Sequence, residues 1–159
     1  MAAKPKLCGR CSSVMNPATL EKVSAAETPV RLHLLGLPVF ACAKGHRAPV
    51  HREFMVWLMR DLRDTHVPAI PSGEAKGMLF KKYHCACGAE LPSQAAREAR
   101  FGFDLAYPDT PAFRGEIEVP VFKCGACGKE QARSAKELAG VAPVVVAALN
   151  DAAGFPHSG

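Results

Sequence analysis

Cys8-Gly9-Arg10-Cys11 with Cys42-Ala43-Lys44-Gly45-His46, and Cys85-Ala86-Cys87-Gly88 with Cys124-Gly125-Ala126-Cys127, are the stretches that decide how this chain is built. They hold all seven cysteines of the sequence. A tight turn aims two ligands at one ion, and a second turn far along the chain completes a tetrahedron. Zn²⁺ takes four N/S ligands in that geometry, so the sequence predicts two structural zinc ions. The first would be held by Cys8, Cys11, Cys42 and His46. The second would be held by Cys85, Cys87, Cys124 and Cys127.

Two positions need argument. His46 follows Cys42 by four residues, and no other cysteine lies near enough to serve, so the imidazole is the expected fourth ligand. His51 is a weaker candidate, because the helical pattern already includes it. In His84-Cys85-Ala86-Cys87-Gly88 the pair His84/Cys87 has the usual knuckle spacing, whereas Cys85/Cys87 gives four thiolates. Thiolate is the stronger zinc ligand, and a spare thiol beside a metal is an oxidation liability. Cys85 is therefore favoured, with His84 as the alternative ligand.

Working outward, Leu37-Pro38-Val39-Phe40-Ala41-Cys42 matches Val119-Pro120-Val121-Phe122-Lys123-Cys124, which points to an internal repeat. Strand alternation is clearest in the second half, at Phe101, Phe103, Leu105 and Tyr107 and again at Ile117, Val119 and Val121. Val30, Leu32 and Leu34, then 37–41, repeat it more weakly, and 79–83 reads as a strand leading into Cys85. Pro38 and Pro120 cannot donate to a ladder and belong on an edge or at a bulge.

A helix is expected from Pro49 to about Asp64, with Phe54, Leu58 and Leu62 inward. Trp57, Met55 and Met59 widen its apolar face and are expected to fill the core rather than meet a partner. A second helix starts at Ser134-Ala135-Lys136-Glu137, a capping-box pattern, breaks near Gly140 to Pro143, and ends at Gly154 and Pro156. The fold class that follows is a small metal-stapled α+β protein of two units, each an antiparallel β-hairpin followed by an α-helix. Residues 1–66 form the first unit, 67–78 a Pro/Gly-rich linker in which Val67, Ala69 and Ile70 pack between units, and 79–159 the second. Units of this size have little core, and bound metal supplies what the core lacks.

The paired cysteines, Gly88 and Gly128 after them, and the strands between resemble a zinc ribbon with rubredoxin-like knuckles, over 7–46 and 83–129. The resemblance implies metal binding and a ribbon architecture. It implies no activity, since such ribbons serve many roles.

The formal charge of +5 suggests a polyanion partner at first sight. Seven metal-bound thiolates subtract seven from the +5 and two divalent cations restore four, leaving +2, which is unremarkable. The residues that would touch nucleic acid are Arg10, Lys44, Arg47, Lys81, Lys82, Lys123 and Lys129. No metalloprotease, phosphate-loop or nucleophile-elbow motif occurs, and both ligand sets are complete, so no catalytic residue is expected. A dithiol redox role at Cys8/Cys11 fits poorly, because no helix start follows Cys11. The expected function is a non-catalytic, duplicated zinc-ribbon module that binds or scaffolds a protein partner. A nucleic-acid-binding ribbon is the alternative. No small-molecule substrate is indicated. No apolar run is long enough to span a membrane, no secretory h-region opens the chain, and cytoplasm is the expected compartment with no membrane partner.

Overall fold

The computed structural model describes residues 4–156. It is a small α+β structure with a mostly antiparallel sheet and two helices. The termini of the two expected units, 1–3 and 157–159, lie outside the described residues.

Two long hairpins make the sheet. β1 (Met15–Glu27) pairs with β2 (Val30–Cys42) in one register from Met15↔Cys42 to Glu27↔Val30. β3 (Arg47–Pro49) adds to β2, and two further short strands, β4 (Glu74–Lys76) and β5 (Lys82–His84), form a separate ribbon. β6 (Arg97–Leu105) pairs with β7 (Phe113–Lys123), and β8 (Glu130–Gln131) pairs with the end of β7. The hairpins join through β2 and β7, from Arg31↔Glu118 to Leu35↔Arg114, giving the order β1-β2-β7-β6.

The alternation read in the sequence holds in the second hairpin. In β6 Leu105 is buried and Phe101 and Phe103 are half-buried between exposed Gly102 and Asp104, while Tyr107 lies past the end of the strand. In β7 Phe113, Ile117, Val119 and Val121 are buried between half-buried Glu116, Glu118 and Pro120, and Phe122 breaks the pattern by entering the cluster under the second knuckle. The two strand prolines sit in gaps. β2 leaves β7 after Leu35 and meets β3 at Val39, so Pro38 faces no ladder on that side. Likewise Pro120 lies between the last β2 partner, Glu118, and the first β8 partner, Phe122. A proline removes no hydrogen bond at such a position.

Three expectations are corrected. The first helix does not start at Pro49. Residues 47–49 are β3, because the edge of β2 freed beyond Leu35 accepts the returning chain. α1 runs from Phe54 to Asp61 and continues as a π-helical turn, Leu62–His66, with Phe54, Leu58 and Leu62 buried as expected. Residues 79–83 are not one strand. Only Lys82 and Tyr83 of that stretch enter β5, and Leu79 and Phe80 stand in solvent. α2 (Ala135–Ala152) runs unbroken through Pro143. A mid-helix proline costs about 3 kcal/mol. Burial of Leu138, Val145, Val146 and Leu149 offsets it, at roughly 1.5–3 kcal/mol for each large aliphatic side chain. Pro143 itself is on the exposed side.

The ends of α2 follow the sequence signals. Ser134 is extended, and its Oγ accepts the Glu137 N–H at 3.2 Å. The Glu137 carboxylate turns to the Arg133 guanidinium, 2.8 Å away, instead of completing a capping box. Gly154 closes the helix with φ of 75°.

One core holds the parts together. Leu32, Leu34, Leu37 and Val39 of β2 join Ile117 and Val119 of β7, Phe54 and Leu58 of α1, and Val145 and Leu149 of α2. Val67 and Ile70 are buried in it, whereas Ala69 is exposed. Trp57 is partly buried, 5.1 Å from the Tyr107 ring and 5.6 Å from Phe54. The knuckles stand outside this core, each over a small apolar cluster of its own. Met15, Phe40 and Ala48 surround Cys8 and Cys42, and Leu91, Phe122 and Tyr83 surround Cys85 and Cys124.

Candidate metal centres

Each thiol-bearing turn is built by two backbone hydrogen bonds. The Cys8 carbonyl accepts from Ser12 N–H at 2.9 Å, and Cys8 N–H donates to Ser13 O at 2.8 Å. The same offsets recur at Cys124, with Gly128 at 2.9 Å and Lys129 at 2.9 Å. Cys42 and Cys85 make turns one residue tighter. Their carbonyls accept from Gly45 and Gly88, both at 2.9 Å, and their N–H groups donate to His46 at 3.0 Å and Ala89 at 2.9 Å. The donor that closes each turn is left-handed, with φ of 60° at Ser12, 85° at Gly45, 97° at Gly88 and 78° at Gly128. Glycine adopts that conformation without a Cβ penalty, which accounts for three of the four positions.

The tighter turn explains the irregular spacings. At Cys85 the turn closes at Gly88 rather than one residue later, so the second thiol must arrive at Cys87. At Cys42 the turn closes at Gly45, and the next residue, His46, supplies the longer side chain.

The turns converge in two groups. The ligand atoms of Cys8, Cys11, Cys42 and His46 all lie within 4.8 Å of one another, and so do those of Cys85, Cys87, Cys124 and Cys127. In the first group Cys11 Sγ is 3.7 Å from Cys42 Sγ, and His46 Nδ1 is 3.4 Å from Cys8 Sγ and 3.5 Å from Cys42 Sγ. In the second group Cys85 Sγ is 3.6 Å from Cys127 Sγ, and Cys87 Sγ is 3.6 Å from Cys124 Sγ. A tetrahedral ion with metal–sulfur bonds of about 2.3 Å and metal–nitrogen bonds of about 2.0 Å sets S···S edges of about 3.8 Å and S···N edges of about 3.5 Å. The donors therefore fit such an ion, and the two clusters can hold two metal ions. None of the seven cysteines is in a disulfide.

Burial is ordered within each pair. The first cysteine of each turn (Cys8, Cys42, Cys85, Cys124) is buried against the apolar cluster. Cys11 is half-buried, and Cys87 and Cys127 are exposed. His84 is outside the four-thiol group, and its Nδ1 is buried without a hydrogen-bond partner. His51 is exposed in the turn before α1, where its Nδ1 accepts the Glu53 N–H at 3.1 Å.

Donors around the sulfurs favour thiolate. Ser13, whose Oγ is 3.3 Å from Cys11 Sγ, lowers the Cys11 thiol to about 6 through its hydroxyl and then its backbone N–H. The Cys87 backbone N–H and then the Gln131 amide lower Cys85 to about 6. Cys124 is lowered by the backbone N–H groups of Cys127 and Ala126. Cys87 receives the Ala89 N–H but is pushed up to about 11 by the thiols of Cys124 and Cys85.

Gln131 was not legible as a site residue. It sits on β8, wholly buried, and donates Nε2–H to Cys85 Sγ at 3.2 Å. Its position four residues after Cys127 is the only hint the sequence offers.

The basic residues singled out earlier are all exposed, but they divide. β2 and β7 run antiparallel, so Cys42 and Cys124 leave the sheet at opposite ends. Arg10, Lys44 and Arg47 therefore accompany one cluster, and Lys81, Lys82, Lys123 and Lys129 the other. Arg47 is also engaged, with Nη1 3.5 Å from Ala153 O.

The fold and the two clusters together define an α+β protein with two candidate metal sites. No protein-family model, curated protein or solved structure matches the chain.

Proposed function

We propose that this is a non-catalytic zinc-stapled binding module, with Zn²⁺ as the ion at both clusters. The observation that carries the reading is that each cluster supplies four protein ligands. A catalytic zinc keeps one position for water or substrate, whereas a structural zinc is closed. Three thiolates with an imidazole, and four thiolates, are both common structural donor sets. The knuckles also stand outside the main core, over small apolar clusters, where a metal ion has most to add.

The two halves read as copies of one unit. In each, a hairpin ends in a knuckle, the chain returns as a short strand on the same hairpin strand (β3 on β2, β8 on β7), and a helix follows. What the module offers a protein partner is the outer face of β6 and the groove between α1 and α2 lined by Met55, Val56, Met59, Pro143 and Val146. The nucleic-acid reading has less support, because the basic residues separate to opposite ends.

Cobalt substitution tests the closed-site reading. The Co²⁺ protein should show the visible absorption of tetrahedral thiolate sites, unchanged by azide or cyanide. A spectrum that shifts on adding either anion would mean an open coordination position and would overturn the non-catalytic reading.

A further inference from the structure

The β4–β5 ribbon ends in a feature that the metal sites do not use. Its strands pair from Glu74↔His84 to Lys76↔Lys82, and residues 77–81 form the tip. Met78, Leu79 and Phe80 are 99%, 90% and 84% exposed. Three large consecutive apolar side chains thus stand in water, touching almost nothing. The root of the ribbon is fixed. Gly73 N–H donates to Ala132 O at 2.8 Å, Leu91 N–H donates to Tyr83 O at 2.8 Å, and β5 runs directly into Cys85.

Charge is ordered along the ribbon. Apolar side chains occupy the point, and Lys76, Lys81 and Lys82 lie just behind it. The acidic residues lie nearer the root, where Glu74 is opposite His84 and Glu90 meets Lys82 at 3.9 Å. A point of splayed hydrophobic side chains suits a fluid apolar phase, which needs no matched pocket, better than a shaped cleft. A lysine collar one step behind sits at the depth of lipid phosphates when the point is in the acyl region.

We propose that the Met78-Leu79-Phe80 tip is a wedge that inserts shallowly into an anionic lipid surface, with Lys76, Lys81 and Lys82 on the headgroups. This role is independent of the metal sites' closed coordination. This departs from the expectation of no membrane partner, which rested on the lack of a spanning segment: surface docking needs none, and no helix among the described residues is long and apolar enough to be one.

The test is cosedimentation of the metal-loaded chain with vesicles of phosphatidylcholine plus phosphatidylserine, against phosphatidylcholine alone. Binding is expected to the anionic vesicles and to weaken with salt. The Met78→Ser, Leu79→Ser, Phe80→Ser triple variant should bind at least roughly tenfold more weakly. Lys81→Glu should lose about fivefold or more, since one lysine near an anionic surface contributes about that factor. The altered side chains are exposed, so unchanged circular dichroism and metal content are expected to show that the fold survives. Absence of binding to the anionic vesicles overturns the proposal, as does binding that the triple variant leaves intact. Equal binding to both vesicle types overturns the role of the lysine collar. Capture of a defined protein through the same three residues, without vesicle binding, would assign the tip to a protein pocket and overturn the lipid assignment.

Discussion

Gln131 Nε2 lies 3.2 Å from Cys85 Sγ, and its side chain is fully buried behind the second cluster. A neutral amide N–H aimed at sulfur stabilises the thiolate over the thiol and orients it for a metal. Hydrogen bonds to metal ligands typically change affinity by about 10–100-fold. Gln131→Leu should therefore weaken metal binding at the second cluster by about that factor and leave the first unchanged. Competition with a chromophoric chelator measures both sites. Equal retention at both clusters would show that the amide does not support the sulfur.

The seam between the hairpins carries a polar link of its own. His33 on β2 is buried, with Nδ1 2.6 Å from Ser24 Oγ and Nε2 3.2 Å from Glu118 Oε2 on β7. His33, and then Arg100, hold Glu118 below the ordinary carboxylate value of 4.5. A lowered folded-state value means stability that is present above about 4.5 and lost as pH falls through the lower folded value. Glu118→Gln should lower stability at pH 7. The difference from wild type should shrink as pH falls below about 4.5, as seen in urea unfolding at each pH. A constant difference across that range would remove ionisation of the Glu118 carboxylate as its cause.

Cys11 offers a check on the order of its knuckle. Ser13 lowers its thiol to about 6, against the ordinary 9.0. Those donors stay in place only while the knuckle is ordered, so iodoacetamide should label Cys11 and Cys87 once chelation releases the turns. Mass-spectrometric mapping of iodoacetamide adducts reads both. In metal-loaded protein both should be protected.

Much of this was legible in the chain, for identifiable reasons. The ligand turns were readable because metal chemistry restricts residue type and spacing so strongly. β6 and β7 were readable because one face is buried and the other wet, so their alternation survives in the sequence. β1 was not, because it is an edge strand with mostly exposed residues, and Met15 and Val23 are its only buried ones. The start of α1 was misplaced because Pro49 suits both a first helical turn and an edge strand, and only the free edge of β2 decides between them. α2 survives Pro143 because tertiary burial of its opposite face outweighs local propensity. The tight turn at Cys85 gives Cys-x-Cys its spacing, and that depends on backbone hydrogen bonds no residue pattern encodes.

The core between the hairpins and helices yields a stability prediction independent of metal. Phe54 is fully buried, with its ring 5.3 Å from Tyr107 and 5.9 Å from Phe113. Phe54→Ala should destabilise the metal-loaded protein by about 3–5 kcal/mol without altering metal content. Loss of metal with the substitution would show that the core and the knuckles are coupled more tightly than their separate clusters indicate.

The central claim is that two ions hold the knuckles, one in each ligand set. Elemental analysis of freshly purified protein, with Cys42→Ser and Cys124→Ser beside it, tests this most directly. Two equivalents of zinc in the wild type and one in each variant are predicted, with loss of order confined to the altered end. A folded wild-type chain free of bound metal, or variants with undiminished content, would contradict the account.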